Sequence, residues 1–486
     1  MSWLGKFLGV QSHDPNTILW AGLPVSPRGE SGHFLAVGTT GSGKTVLING
    51  LLRTIVPRVA SGGARLLLYD GKTEGLSVLR ALGYPLEQCV ILNPYDARAA
   101  AWDMAEDMVA PDDVEALSYA LIPPEQTTQP YFDKSARDLL QGVVLSFNAR
   151  RLRTGWHWTF RDVLNGLSRP SYLRTILEWA PENGPRIEAY FQGAKSFKDV
   201  MSTVRTTASR YEVIAAHWWH AQQAGRRFSL RDWMQRGGVV VLGHSHRNTE
   251  ALNAVNRVLF KRVSDLLLDP HPDRRETWVV LDELSKAGRL QNLDLLLTKG
   301  RDLGIRVVLG FQDLSGLEHQ DVYGRELTEE MTGVVANKAV LRLQGTRTAK
   351  WAEEVFGETE AWEYDVSRGP QGDSVSPRRQ VRPTILSSEL KSIPPPDERG
   401  IQGFYTRADD PYVHEYWIPP HVVASNPRRI AELDFQQAPA AHARLEPWTQ
   451  AELQELGLGA GPDNDEGLDE EEDDDGEAPP ELDLMS

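Results

Sequence analysis

The sequence is nearly free of cysteine and has no long apolar run. Cys89 is the single cysteine in 486 residues, which excludes an intrachain disulfide and suits a reducing compartment. It lies in the apolar run 89–92, so we expect a core residue rather than a nucleophile. No stretch approaches the roughly 18–20 apolar residues of a membrane-spanning helix, and residues 1–10 are too short for a signal peptide. These residues form either a short amphipathic docking helix or a segment packed on its own domain.

Acidic residues outnumber basic ones, but the excess lies at one end of the chain. The net charge is −16, and residues 461–486 contain 13 Asp and Glu with no Lys or Arg. Without this segment the chain has 55 acidic and 52 basic residues, a net charge of −3. Local basic surfaces are compatible with such a body, so the overall acidity does not exclude nucleic acid as a partner. The acidic segment has few apolar residues, and its composition predicts disorder.

One stretch has the complete pattern of a P-loop, the phosphate-binding loop between a strand and a helix. The apolar run 33–37 precedes it, and residues 46–56 follow it with apolar side chains at helical spacing. Glycines let successive backbone N–H groups surround a phosphate, and the helix N-terminus adds partial positive charge. We expect Lys44 to reach the β- and γ-phosphates of ATP and the Thr45 hydroxyl to ligate Mg²⁺. The predicted phosphate-binding residues are Gly38, Thr39, Thr40, Gly41, Ser42, Gly43, Lys44 and Thr45.

The order of predicted elements indicates an α/β protein with an inserted helical region. Strands and helices alternate before about residue 108 and again after residue 238, which is typical of a mainly parallel sheet covered by helices. Between them the strand signal stops and apolar residues recur at helical spacing. The predicted divisions are an N-terminal segment (1–20), an α/β P-loop domain (21–107 and 236–435), an all-α inserted domain (108–235) and a C-terminal extension with the acidic tail (436–486).

Towards the C-terminus the sequence predicts smaller features. Residues 363–383 are interpreted as a polar loop because they contain several Gly, Pro and Arg. Residues 400–407 and 413–418 are predicted to form an antiparallel hairpin. Residues 419–433 are predicted to begin with a turn and end in a helix, and residues 448–456 to form one further short helix.

An apolar strand, residues 277–281, leads directly into two carboxylates, Asp282 and Glu283. In P-loop ATPases the aspartate at this place holds Mg²⁺, and the glutamate after it can orient or deprotonate the attacking water. Many buried strands end in aspartate, so the pair is significant chiefly because a complete P-loop precedes it in the same chain.

Two other residues are candidates for a catalytic role. Gln312 follows the next predicted strand, at the carboxyl edge where open α/β sheets bind ligands, and it either contacts the γ-phosphate or its water, or caps a helix. Arg301 ends the helix before that strand. It is either a solvated surface residue or an arginine that acts on the nucleotide of a neighbouring subunit, and spacing alone does not separate it from Arg306 or Arg325.

Residues 148–158 mix basic and aromatic side chains, with three arginines and two tryptophans. Such a mixture suits single-stranded nucleic acid, through phosphate contacts and base stacking. A solvated helix end with tryptophans in the core is the favoured alternative.

Taken together, these motifs resemble the coupling-protein ATPases of conjugation and type IV secretion, the class that docks DNA–protein substrates to a secretion channel. The resemblance extends over roughly residues 20–420. It rests on the P-loop and on the short stretches 66–72, 91–98, 102–103, 131–137, 281–284, 299–304, 310–314 and 323–324.

The resemblance implies a RecA-like nucleotide-binding domain interrupted by an all-α domain. It also implies a homo-hexameric ring with ATP and Mg²⁺ between subunits and DNA, single- or double-stranded, in the central channel. By the same resemblance Lys44 and Thr45 bind phosphate and Mg²⁺, and Asp282 and Glu283 form the Walker B pair. Gln312 looks like the phosphate sensor, and Arg301 looks like the arginine finger. Acidic C-terminal segments in this family dock basic relaxosome or secretion-adaptor proteins, so residues 461–486 either have the same role or only keep the protein soluble.

One feature departs from the family pattern. Its members usually begin with transmembrane helices, whereas this sequence starts almost directly at the catalytic domain. We therefore expect a cytoplasmic protein that reaches the inner face of the cell membrane through a membrane-bound secretion partner or through its short apolar N-terminus.

The predicted function is an ATP-driven DNA translocase that serves conjugative transfer or secretion. One alternative is a soluble ring translocase in chromosome processing or phage defence. Another is a receptor for protein cargo that uses nucleotide only as a switch, although the full set of hydrolytic residues argues against it.

Overall fold

The computed structural model describes residues 17–123, 130–191, 197–245, 248–270, 273, 275–369, 372–426 and 434–459. The chain divides into two compact units. The first, an α/β unit, consists of Met1–Leu121 and Val213–Arg444, and the second, a helical unit, of Ile122–Glu212 and Leu445–Ser486. The first ten residues and the acidic tail, for which the sequence makes predictions, lie outside the described residues, as do residues 427–433.

The described strands range from two to twelve residues in length. They are β1 Leu19–Trp20, β2 Leu23–Pro24, β3 Phe34–Val37, β4 Ala64–Tyr69, β5 Cys89–Ile91, β6 Ala101–Trp102, β7 Arg227–Phe228, β8 Gly238–Leu242, β9 Glu276–Leu281, β10 Ile305–Phe311, β11 Asn337–Val340, β12 Glu358–Gly369, β13 Gly372–Pro383, β14 Ile401–Arg407 and β15 Asp410–Ile418.

Helices lie between the strands and make up most of the helical unit. They are α1 Pro27–Glu30, α2 Lys44–Ala60, α3 Gly75–Ala81, α4 Met104–Asp107, α5 Pro111–Leu121, α6 Pro130–Thr154, α7 Phe160–Gly166, α8 Pro170–Leu177, α9 Gly184–Phe191, α10 Phe197–Ser209, α11 Glu212–Gln223, α12 Leu230–Arg236, α13 Thr249–Leu268, α14 Leu284–Ala287, α15 Leu293–Lys299, α16 Ser315–Glu318, α17 Gly324–Val334, α18 Thr346–Phe356, α19 Ser387–Ser392, α20 Pro420–Ala424 and α21 Gln450–Leu456. No described helix is both long and apolar enough to cross a membrane.

A nine-stranded sheet organises the α/β unit, in the order β15-β14-β11-β3-β10-β9-β4-β8-β5. The pairs from β11 to β5 are parallel, while β14 and β15 are antiparallel. The predicted α/β fold with a mainly parallel sheet is therefore confirmed, and so is the hairpin that forms β14 and β15. The carboxyl ends of the central strands are in register, with Val37 opposite Phe311, and Leu281 opposite both Leu309 and Tyr69.

The sheet is buried on both faces, as its parallel strands require. On one face, Phe34, Leu66 and Trp278 pack in a cluster with apolar residues of α2. The side chains that alternate with them, such as Leu35 and Leu67, are also fully buried. These continuous apolar runs explain why the strands were recognisable in the sequence.

His33 directly precedes β3, the P-loop strand, and links it to the neighbouring strand β10. Its Nδ1 accepts a hydrogen bond from the Val307 backbone N–H over 3.1 Å, and its side chain is buried. Burial lowers the pKa of His33 to about 4, because the charged imidazolium would lose its hydration. The histidine is therefore neutral at pH 7.

The inserted segment of the helical unit, Ile122–Glu212, is shorter than the insert predicted over residues 108–235. Strand β6 pairs with β7, and α5 packs on α13, so the residues at both ends of the predicted insert lie within the α/β unit. The helical unit also includes C-terminal residues that were predicted to belong to a separate extension.

A buried arginine holds these C-terminal residues within the helical unit. Arg161 is 2% exposed, and it donates to the Glu452 carboxylate over 2.8 and 3.0 Å. It also donates to the carbonyl oxygens of Glu446 and Pro447. The ion pair lowers the pKa of Glu452 to about 2. Thr449 caps α21 in a capping box with the same glutamate.

The basic and aromatic residues near the end of α6 take part in packing. Trp158 is buried and donates its indole N–H to Asn148 over 3.0 Å. The Arg150 guanidinium lies 4.5 Å from the ring centre of Trp179 and donates to the Glu455 carbonyl. This arrangement supports the alternative in which the tryptophans belong to the core.

The interpretation of residues 363–383 as a loop was wrong. Strands β12 and β13 pair there in an antiparallel ribbon, from Glu358 opposite Pro383 to Gly369 opposite Gly372. The polar composition suggested a loop, but Trp362, Tyr364 and Val381 favour a strand, and all three side chains are exposed.

Candidate active site

The P-loop has the backbone that a phosphate-binding loop needs. Gly41 and Gly43 adopt positive φ angles of 75° and 106°, a region that other residues enter only at a cost. A Cβ atom on Gly43 would also lie 2.6 Å from the Ile401 side chain. Helix α2 begins at the next residue, so its free N–H groups point into the loop.

Lys44 lies inside the loop and not in solvent. The side chain is 5% exposed, and its Nζ donates to the Gly38 carbonyl over 2.6 Å. Burial lowers the pKa of Lys44, while the charges of Glu283 and Asp282 oppose that shift. The ammonium is thus held where a phosphate would compensate its lost hydration.

The Walker B glutamate is fixed from both sides. Glu283 is 2% exposed, and its carboxylate accepts from the Ser285 hydroxyl over 3.0 Å and from Gln312 Nε2 over 2.9 Å. The Gln312 amide oxygen in turn accepts from the Thr40 hydroxyl over 2.8 Å. One side chain therefore links the P-loop to the glutamate that could activate water.

Strand order explains why Gln312 lies at this position. Strand β10, which it follows, is hydrogen-bonded to the P-loop strand β3 on one side and to β9 on the other. The backbones of β10 and of Asp282 lie so close together that position 310 requires a glycine. A Cβ atom on Gly310 would lie 2.2 Å from the Asp282 carbonyl oxygen.

Lys72 is a residue of the site that the sequence patterns did not predict. Its Nζ donates to Asp282 Oδ2 over 2.6 Å and to Thr45 Oγ1 over 3.1 Å. The available signal was its place just after β4, at the same carboxyl edge that made Gln312 a candidate. The contacts of Lys72 arise because β4 lies beside β9. The local sequence pattern does not contain this strand order.

The polar atoms around this edge fit a nucleotide with Mg²⁺. Within the described part of the chain, the buried Ser42 Oγ and Asp282 Oδ1 have no hydrogen-bond partner. Asp282 also lines a cavity, together with Thr45, Lys72, Glu283 and other residues. Hydroxyl and carboxylate oxygens are the ligands that Mg²⁺ prefers, and the buried Lys44 suits a phosphate.

The structure brings together most of the predicted residues of the site, but not Arg301 and Thr39. Thr39 lies in the loop, yet its hydroxyl donates to Gln344. Arg301 is exposed in a short 3₁₀ turn, Gly300–Leu303, that precedes β10. Since Gln312 follows the same seven-residue strand, Arg301 lies at the opposite edge of the sheet, roughly 20 Å away at about 3.3 Å per residue. At that distance its side chain does not reach the P-loop of the same chain.

Residues 17–413 match the family model described as the type IV secretion-system coupling protein DNA-binding domain. The coupling protein TraD of Escherichia coli is 25% identical over 387 residues, which are 76% of this chain and 51% of TraD. The DNA translocase FtsK of Staphylococcus aureus is 34% identical over 89 residues, 18% of this chain and 11% of FtsK. The chain thus spans about half of TraD and a smaller part of FtsK.

A solved structure resembles the chain over most of its length. It is that of the plasmid coupling protein TrwB in complex with ADP and Mg²⁺, with a TM-score of 0.61 and 21% identity. The match covers 89% of this chain and 92% of the TrwB chain. At this level of identity the likeness concerns the fold, and it agrees with the sheet described above.

Proposed function

The chain belongs to the family of type IV secretion-system coupling proteins, and from that premise we propose that it hydrolyses ATP to move DNA, or DNA joined to protein, in conjugative transfer or secretion. TraD and TrwB are named as coupling proteins and FtsK as a DNA translocase. The longer match to the coupling proteins favours transfer over chromosome processing. In this proposal the α/β unit is the motor.

The P-loop binds the phosphates of ATP in this proposal. Backbone N–H groups of residues 38–45 and the Lys44 ammonium compensate the phosphate charge, and Ser42 Oγ supplies a further donor. Thr45 and Asp282 hold Mg²⁺, which neutralises charge on the phosphates when it is bound. The complex of TrwB with ADP and Mg²⁺ supports the same ligands for this chain.

A single observation supports hydrolysis rather than binding alone: the hydrogen-bonded series Thr40–Gln312–Glu283. Glu283 acts as the general base that takes a proton from the attacking water. Gln312 orients that carboxylate and, through its hydrogen bond to Thr40, makes the position of the carboxylate depend on that of the P-loop. A protein that used nucleotide only as a switch would not need a glutamate held in this way.

Arg301 completes the site of a neighbouring subunit. Its exposure at the far edge of the sheet suits an arginine that acts in trans on the transition-state charge. This role requires an assembly in which one subunit's far edge meets the next subunit's P-loop, and a homo-hexameric ring around DNA satisfies it.

The acidic C-terminal segment, residues 461–486, has a binding role in this proposal. Its 13 carboxylates are suited to docking basic relaxosome or secretion-adaptor proteins, and they compete with DNA for basic surface on the same chain. Deletion of residues 461–486 should raise DNA affinity at low salt and abolish binding of such a partner. Recruitment to the inner face of the cell membrane by a secretion partner stays a prediction from the sequence.

A DNA-stimulated ATPase assay tests the proposed function. ATP turnover is measured with single-stranded DNA, double-stranded DNA and no DNA, over a range of protein concentrations, with Lys44→Ala as the inactive control. Turnover per subunit should rise with DNA and with protein concentration, since the site is completed between subunits. Turnover that no DNA changes would instead favour the nucleotide-switched receptor.

A further inference from the structure

Lys72 lies at the place where the two proposed magnesium ligands meet. Its ammonium contacts Asp282 and Thr45 at 2.6 and 3.1 Å, and the side chain is only 24% exposed. Parallel pairing of β4 with β9 sets Tyr69 opposite Leu281. The turn after β4 therefore puts this lysine directly beside the end of the Walker B strand.

Two other charged groups in or beside this turn, Asp70 and Lys286, have hydrogen-bond partners of their own. The Asp70 carboxylate accepts from the backbone N–H groups of Glu74 and Gly75. Lys286 donates to the Gly71 carbonyl over 3.1 Å. Among these cations, Lys72 is the one that contacts both Thr45 and Asp282.

An ammonium group and Mg²⁺ cannot both occupy this position. Mg²⁺ requires oxygen ligands at about 2.0–2.1 Å in a nearly octahedral arrangement, which leaves no space for an ammonium hydrogen-bonded to the same two side chains. The like charges also repel each other at this separation.

We propose that Lys72 is a tethered cation that fills the magnesium position while no nucleotide is bound and leaves it when magnesium enters with nucleotide. The inference rests on the proposed function, because it assumes that Thr45 and Asp282 belong to a magnesium–nucleotide site. It assigns Lys72 a positioning role: the lysine keeps Asp282 in place and hinders the entry of a metal without nucleotide.

Charge balance gives the reason for this coupling. Lys44 and Lys72 face Asp282 and Glu283, so the four side chains are together neutral. A divalent cation that displaced the ammonium would add positive charge to a balanced site. Phosphates bring negative charge with the metal, and the displaced ammonium, still tethered, remains near them.

Binding of Mn²⁺, a spectroscopic substitute for Mg²⁺, tests the proposal on the full chain. Free Mn²⁺ is measured by electron paramagnetic resonance, with and without ADP, in the wild type and in Lys72→Met, Lys72→Gln and Lys72→Arg. Lys286→Met is the matched control, since it removes a nearby lysine that contacts the turn after β4 only at the Gly71 carbonyl and has no bond to Thr45 or Asp282. Thermal unfolding identifies which variants fold, and the Gln variant replaces the Met variant if the latter does not.

Without ADP, Lys72→Met and Lys72→Gln should bind Mn²⁺ more tightly than the wild type, by up to roughly fivefold, because a partly exposed ion pair contributes up to about 1 kcal/mol. Lys72→Arg and Lys286→Met should bind it as the wild type does. Equal or weaker Mn²⁺ binding by the charge-free variants overturns the proposal.

The two proposals fail in different ways. If ADP does not strengthen Mn²⁺ binding by the wild type, the nucleotide site itself is rejected. If ADP strengthens it but removal of the Lys72 charge has no effect without ADP, only the tethered cation is rejected.

Discussion

The Gln312 side-chain amide donates to the Glu283 carboxylate over 2.9 Å, while its oxygen accepts from Thr40 over 2.8 Å. The two hydrogen bonds fix which end of the amide faces which partner. A movement of Thr40 on phosphate binding would therefore change the position of Glu283 through one side chain. Hydrolysis and phosphate binding are expected to be coupled at this point.

Lys44→Ala and Glu283→Gln should fail at different steps. Loss of the Lys44 ammonium removes a charge-assisted contact worth roughly 1.5–3 kcal/mol, so ATP affinity should fall about tenfold or more. Glu283→Gln keeps an oxygen that can accept from Gln312, and it should bind ATP normally yet hydrolyse it about 10²–10⁴-fold more slowly. Binding of a fluorescent ATP analogue and single-turnover hydrolysis separate the two effects. Normal hydrolysis by the Gln variant would rule out Glu283 as the base.

Local patterns were sufficient for the parts of the site that lie within one strand–loop–helix unit. The P-loop and the pair Asp282 and Glu283 were recognisable because each directly follows an apolar strand. Gln312 was recognisable as an edge residue, but its partners depend on β10 lying between β3 and β9. Lys72 was missed for the same reason, since its contacts depend on which strand neighbours β4.

Long-range strand pairing also explains where the structure differs from the elements predicted from the sequence. The ribbon of β12 and β13 has a mainly polar sequence, and the pairing of its two strands identifies it more clearly than its composition does. Strand β6 pairs with β7 across more than a hundred residues, a contact that the local pattern at the ends of the predicted insert does not contain. Likewise, nothing near Arg161 in the sequence indicates that it binds Glu452.

Arg301→Ala should remove ATP turnover without weakening ATP binding to the same subunit. An arginine finger contributes roughly 10³–10⁵ in turnover where it is established. Arg301→Ala subunits have an intact P-loop, and Lys44→Ala subunits have an intact arginine. Mixed assemblies of the two should recover part of the activity, at interfaces that pair the intact groups. Mixed assemblies that form but stay inactive would contradict action in trans, and Arg325→Ala is the matched control.

His33 should make the folded protein less stable as the pH falls below about 6.5. The pKa of His33 is lowered from 6.5 to about 4 by burial, so the unfolded chain binds a proton that the folded chain does not. The contribution is fully present above pH 6.5 and is lost towards pH 4, by about 1.4 kcal/mol per pH unit and roughly 3 kcal/mol in total.

His33→Asn tests this assignment, because its amide oxygen can still accept from the Val307 N–H but does not titrate. The free energy of unfolding in urea is measured at several pH values from 7 to 4.5. The slope of the unfolding free energy against pH gives the number of protons taken up on unfolding. That number should be smaller for the variant than for the wild type, by up to one. Equal slopes would show that His33 does not titrate differently in the folded and unfolded states.

The Arg161–Glu452 ion pair should stabilise the C-terminal helix α21 in a pH-dependent way. Arg161 is 2% exposed and the Glu452 side chain 31%, so removal of the arginine leaves a partly covered carboxylate unpaired. Arg161→Met should destabilise the unit by about 3 kcal/mol, and Glu452→Gln by about 1–2 kcal/mol, because the amide oxygen can still cap α21. Since the ion pair lowers the pKa of Glu452 to about 2, the stabilisation is present above the usual pKa of 4.5 and is lost as the pH falls towards 2.

Hydrogen exchange of α21 in the full chain measures this effect directly. Amides of residues 450–456 should exchange faster in Arg161→Met and Glu452→Gln, while those of β9 should keep their protection. Glu455→Gln is the matched control, because it changes an exposed carboxylate on the same helix and should shift stability by less than about 0.5 kcal/mol. Unchanged exchange of α21 in Arg161→Met would mean that apolar packing by Trp448, Leu453 and Leu456, all buried, is sufficient to hold the helix.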